Sequence, residues 1–156
     1  MALDGKSSSR DAFQVQSAVL TITKTAAVVS DPTGDAIPHA IPGATMKYTI
    51  LIANSGTATQ NATSVGLSDS LASQIPTNLT WVSGQFNITT PGVNTGAAFT
   101  CQDNGVGTTT QAATGGAPYT AVTCDYNKTA ATTVTISNIA LKPGDTATIV
   151  FEATIN

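Results

Sequence analysis

The chain has 156 residues, 41% of them hydrophobic but only 10% charged and 5% aromatic, and carries a net charge of −3 at pH 7. Its length makes one domain with a genuine core, and its hydrophobic fraction excludes a disordered tail. The sparse cations, Arg10 and five scattered lysines, exclude the clustered positive surface that nucleic acid requires.

No apolar run approaches the roughly 20 residues of a membrane span. Threonine takes the place of charge, as in Thr108-Thr109-Thr110. It is β-branched, poor in helices and suited to the wet face of a sheet. Neutral hydroxyls and amides in place of charges fit an extracellular all-β protein.

In chain order, residues 1–17 read as an arm. A polar lead over 5–11 is followed by a short strand-forming piece over 12–16 that carries Phe13 and Val15. These two fall on odd positions, whereas Leu20 and Ile22 of the next segment fall on even ones. A slip of one residue sends every side chain to the opposite face, so the register breaks near Ser17 and Ala18. A bulge bending one long strand is the other reading. The opening MALDGKSSSRD lacks the basic-then-apolar pattern of a secretory leader. If the protein is exported, this is therefore expected to be its mature or recombinant form; the opening also lacks the hydrophobic N-terminal helix that a type IV pilin needs.

Period-two alternation then dominates, with no amphipathic helix. A strand is expected over 18–29, a turn-rich link over 31–35 and a strong strand over 44–54. Val65 and Leu67 mark a short strand, followed by a loop through Pro76. Leu79 and Trp81 open the next, which Phe86 and Ile88 continue past Gly84. A cysteine hairpin is expected over 97–102 and 119–126, then a strand at Val134 and Ile136. The last strand, 145–155, alternates most clearly, with Ala147, Ile149, Phe151, Ala153 and Ile155 facing one way. Pro42-Gly43 and Pro143-Gly144 precede two of these strands as turns that want positive φ at glycine. The expected fold class is all-β, an immunoglobulin-like β-sandwich of seven to nine strands over 18–156 with an N-terminal arm. Tyr48, Trp81 and Phe151 are its core anchors.

Cys101 and Cys124 sit in matching strand-like settings, as a hairpin closed by a disulfide would place them, with two reduced core thiols as the alternative. A disulfide implies an oxidising compartment. A metal site is disfavoured with two thiols and one distant histidine. His39, the single histidine, lies in a proline-flanked link, and no GxSxG turn occurs. Glu152 is on the outward face of the last strand, so paired-carboxylate hydrolysis has no footing; no enzyme is expected. The aspartates fall at turns, where capping explains them. Asp31 and Asp35 are weak calcium candidates without DxDxDG spacing, and no cofactor is expected. Trp81 reads as a core residue, a sugar platform being the alternative. Asn61, Asn78, Asn87 and Asn127 begin N-x-Thr sequons, which leaves glycosylation open.

The stretches LTITKTA (20–26), AIPGATMKYTILIANSGTA (40–58), VGLSDSL (65–71), LTWVSG (79–84) and LKPGDTATIVFEATIN (141–156) together resemble the conserved-repeat domain of bacterial and archaeal surface proteins, a family of unknown function. The resemblance covers roughly 18–156 and implies an immunoglobulin-like sandwich in surface, adhesive or extracellular structural proteins, with no catalytic residues. Two departures stand out. Leu71 is followed by Ala72 where the family usually has proline, and tandem copies are common there, where this sequence carries one. Two roles are expected on these grounds. One is a secreted structural subunit that polymerises with copies of itself on the cell surface, its arm adding as a strand to the next subunit. The other is an adhesive or spacer module that binds a surface protein, receptor, matrix or polysaccharide, with the 102–118 loop as contact surface.

Overall fold

Alternating inward and outward side chains build two facing antiparallel sheets in the computed structural model, which describes residues 16–71, 73–75, 77–82, 85–92, 99–101, 109–126 and 133–156. The strands are β1 (Leu20–Ser30), β2 (Thr45–Asn54), β3 (Ala62–Ser70), β4 (Leu79–Trp81), β5 (Asn87–Thr89), β6 (Phe99–Thr100), β7 (Thr109–Gln111), β8 (Val122–Tyr126), β9 (Thr133–Leu141) and β10 (Thr146–Ile155). One sheet runs β1-β2-β10-β5-β6, with β4 also paired to β10. The other runs β3-β9-β8-β7. The described residues contain no helix. This is an all-β sandwich.

The core lies where the alternation predicts. Ala147, Ile149, Phe151 and Ala153 of β10 are fully buried and sit opposite Ile52, Ile50, Tyr48 and Met46 of β2. Across the sandwich, Val122, Cys124 and Tyr126 of β8 face inward with Val134, Ile136, Ile139 and Leu141 of β9. The buried positions of β9 pass from even to odd at Asn138, whose φ of 65° makes a bulge that resets the parity. The two proline-glycine turns form as expected. Gly43 and Gly144 have φ of 86° and 87°, and the turns close through Ala44 N–H to Ile41 O and Asp145 N–H to Lys142 O.

The described residues form ten strands where seven to nine are expected. Part of the excess is an interruption. Leu79–Trp81 and Asn87–Thr89 are two pieces that pair with the far and near halves of β10, not one strand continued past Gly84. A second difference concerns the cysteines. Cys101 and Cys124 are bonded, with Cα atoms 6.0 Å apart. They are not hairpin partners, however. Cys101 follows β6 in one sheet and Cys124 lies in β8 of the other. Counting alternation cannot show which sheet a strand joins, and the pair staples one flank of the sandwich across its two layers. The bond closes a segment of sequence separation 23, for which the chain-entropy relation gives about 3 kcal/mol. Replacing both cysteines by alanine is expected to lower unfolding free energy by about that amount in urea titration, with the β-sheet spectrum retained.

Candidate functional site

The flank opposite the disulfide is built differently. β1 is 11 residues long and, among the described residues, pairs only with β2 and leaves its other edge free. Its even residues share the inward face of β2: Leu20 stands opposite Asn54, Ile22 opposite Ile52, and Lys24 opposite Ile50. In most sandwiches such positions are covered by the second sheet. Here that sheet ends at β3, and β1 overhangs it, leaving Leu20 46% and Ile22 61% exposed. Val19 O accepts from Ser55 N–H. By the alternation of an antiparallel ladder, the amides of Leu20, Ile22 and Lys24 therefore point away from β2, to the free edge.

Between the overhang and β3 lies an apolar cavity of about 200 Å³, lined by Leu20, Thr21, Ile22, Ile52, Val65 and Gly66. β3 bends away at this point. Its pairing with β9 slips between Ala62 and Val65 and again between Val65 and Leu67, and Ser64 takes a φ of 56°. Edge bulges of this kind twist a strand and re-aim its side chains. Gly66 supplies the floor. A Cβ there would stand 3.6 Å from Ile136 O, an ordinary contact, so glycine leaves room that a side chain would fill.

The opening of β1, residues 20–23, differs from the rest in how it meets solvent. Inward charges and bulges are the devices that keep a free edge from pairing, and both lie from Lys24 onward. Lys24 Nζ reaches across the sheets to Asp69 Oδ2 at 2.7 Å and stands 5.5 Å from the Tyr48 ring centre. The register then slips between Val28 and Ser30. Residues 20–23, with Leu20 and Ile22, have neither device.

Asn54 fixes the near end of this seam. It is 1% exposed; its Oδ1 accepts from Val19 N–H at 3.0 Å, and its Nδ2 donates to Gln60 O and Leu141 O. One side chain thus ties the start of β1, the turn after β2 and the end of β9. Beyond it, Ser17 exchanges hydrogen bonds with Thr59, and Gln16 Oε1 accepts from Gln60 Nε2. The last two residues of the expected arm are therefore held on the body. Phe13 and Val15 lie outside the described residues.

The remaining sequence candidates are placed as follows. Phe151 is fully buried; Tyr48 and Trp81 are half-buried against the core. The Trp81 ring stacks on Tyr126 at 3.7 Å and on Phe151 at 5.2 Å, while its Nε1 has no hydrogen-bond partner among the described residues. The indole is used as an internal packing surface between sheets. Asp31 is a turn acceptor. Its Oδ1 takes Thr33 N–H, Thr33 Oγ1–H and Gly34 N–H, and its Oδ2 takes His39 N–H at 2.6 Å. Asp35 stands apart from this set, its N–H donating to Thr33 Oγ1. Among the described residues no three metal-ligating side chains gather. His39 is exposed beside Asp31, and Glu152 pairs in register with Lys47. Asn61 and Asn78 are exposed, Asn87 is half-buried, and Asn127 lies outside the described residues. Of the 102–118 loop, 109–111 is strand β7 and 114–115 is tied to Gly92 O; 102–108 lies outside the described residues.

Sequence reasoning missed Lys24, Asp69 as its partner, Asn54 and Gly66. Lys24 carried a signal, since it is the one charge on the apolar face of LTITKTA. The others depend on contacts 45 to 87 residues apart in sequence or on a bulge.

Two expectations follow. Asn54→Asp keeps the shape but removes both donors and sets a carboxylate against two carbonyls, so urea unfolding should show a loss of roughly 1–3 kcal/mol. The Thr33 hydroxyl, then the His39 amide, hold the Asp31 carboxyl down at about 2. Its stabilising effect is complete above the ordinary aspartate value of roughly 4 and is lost as pH falls through about 2. Acid unfolding followed by circular dichroism should show a step in this window, and Asp31→Asn should remove it. No protein-family model and no curated protein matches the chain.

Proposed function

We propose that this chain is a non-enzymatic structural subunit of the cell exterior that assembles with copies of itself, its N-terminal arm adding as a strand to the next copy. The observation that carries the reading is the unguarded opening of β1, residues 20–23. It offers a free backbone edge together with exposed Leu20 and Ile22 on the side where a sandwich normally has its core. Strand addition answers both needs at once: ladder hydrogen bonds satisfy the edge, and alternate side chains enter the apolar seam. Each apolar side chain buried this way contributes roughly 1.5–3 kcal/mol. A contact between an arm on one surface and a seam on another is heterologous, so it propagates as a fibre unless rotation closes it. The low charge of the chain leaves little like-charge repulsion at a repeated interface.

The kinship with surface-protein repeat domains and the immunoglobulin-like affiliation belong to the same proposal, and the two-sheet architecture supports them. So does the location. A cysteine pair suits an oxidising compartment, and no helix among the described residues is long and apolar enough to cross a membrane.

Removing residues 1–15 is the direct test. Electron microscopy and light scattering of the parent chain should show filaments or oligomers, and the shortened chain should be monomeric with an unchanged β-sheet spectrum. Assemblies that persist in the shortened chain would sink the arm-exchange reading.

A further inference from the structure

The seam is specific enough to name its occupant, and this step rests on the strand-addition reading. We infer that the cavity between β1 and β3 is the receiving pocket for Phe13 of a second copy, with Val15 of the same arm lying two residues along the seam.

An apolar void of roughly 150 Å³ holds benzene, so the cavity of about 200 Å³ between Ile22, Val65 and Gly66 takes one phenyl ring. Phe13 is the only aromatic residue before Tyr48 and the largest apolar side chain of the arm. Spacing agrees. In an added strand, residues 13 and 15 point to one face and 12, 14 and 16 to the other. The arm reads Ala12-Phe13-Gln14-Val15-Gln16, apolar on one face and mostly amide on the other. That matches a seam whose inner side is apolar and whose outer side, at Thr21, Thr23 and Thr25, is exposed and hydroxylic. The seam also has a limit. The Lys24–Asp69 pair bridges the two sheets at its far end, so the apolar stretch is only long enough for side chains beside Leu20 and Ile22. Two apolar arm residues meet two apolar seam positions.

A second copy, not the same chain, must supply the arm. Gln16 and Ser17 are held on Gln60 and Thr59, so Phe13 of the same chain has three residues of slack, about 11 Å of extended backbone. Within that it would have to reverse and return past Val19 and Leu20 to reach Ile22, six residues beyond Gln16. Phe13 of a neighbour is tethered to its own Gln16 by the same three residues, about 11 Å, but the neighbour's body can stand beside the seam so that its arm enters without reversing.

The test uses the full-length chain carrying Phe13→Cys and Gly66→Cys together, treated with a short bismaleimide so that the native Cys101–Cys124 bond is untouched. Gly66 tolerates the change because its Cβ position is clear of close contacts. The expected result is covalent species of two or more chains joined through residues 13 and 66, absent from either single variant. A ladder of multimers and a product that stops at two chains both assign the arm to the seam. Only the ladder agrees with an open-ended fibre, so the functional reading and the pocket assignment fail separately. Products that remain single chains, whether unlinked or bridged internally, overturn the assignment. In parallel, Gly66→Phe fills the pocket from the receiving side and Phe13→Ala empties it from the donor side. Each should shift the assembly midpoint at least tenfold in concentration with an unchanged β-sheet spectrum. Parent-like assembly by both variants would also overturn it.

Discussion

An apolar sheet face has to be covered, and the two layers of this sandwich are of unequal width. Among the described residues, five strand positions in one layer (β1, β2, β10, the place shared by β4 and β5, and β6) oppose four in the other. The surplus strand is β1, and its inward side chains extend past the end of the layer that would shelter them. Much else in the molecule can be read as a response to that mismatch. Lys24 converts one overhanging position into a cross-layer ion pair, the slip at Val28 disrupts another, and Asn54 secures the strand where it enters. Leu20 and Ile22 are left with the chemistry of a core and the exposure of a surface.

The two flanks of the sandwich divide their duties. On one, a covalent bond joins the layers between β6 and β8, next to short strands that offer little backbone to a partner. On the other, the joining is ionic and partly exposed, of a kind that contributes at most about 1 kcal/mol. The long β1 and the bulged β3 leave a gap between them. The centre is stabilised by neither flank. Tyr48, Phe151, Trp81 and Tyr126 stack from one layer into the next, above the aliphatic ladder of β2 and β10. Such a centre holds both layers whether or not the seam is filled.

Much of this was legible in the sequence because burial alternates in two-residue steps. Strand β10 could be read residue by residue, as could both proline-glycine turns with their positive φ. The misread features share a cause. Leu79 to Ile88 looked continuous because apolar spacing survives an interruption that only the pairing partner reveals. The two cysteines looked like hairpin neighbours because matching alternation places both inward without saying from which layer. For the seam, the even positions of β1 were identified as one apolar face, and nothing local distinguishes a face that is covered from one that overhangs. That difference is set by where β3 ends, some 40 residues further along, and by bulges at Ser64 and Gly66 that carry no strong signal of their own. Asn54 was visible as a strand terminator, while its reach to Leu141 O was not.

The stapled flank has a mechanical meaning as well. With Cys101 and Cys124 binding the layers like the spine of a book, the spread between them at the spine is set by a covalent bond, while at the opposite margin it is set by the Lys24–Asp69 pair. Under the arm-exchange proposal, an aromatic guest at that margin is held by a jaw whose hinge is covalent, and the force needed to pull it out depends on a bond on the far side of the molecule.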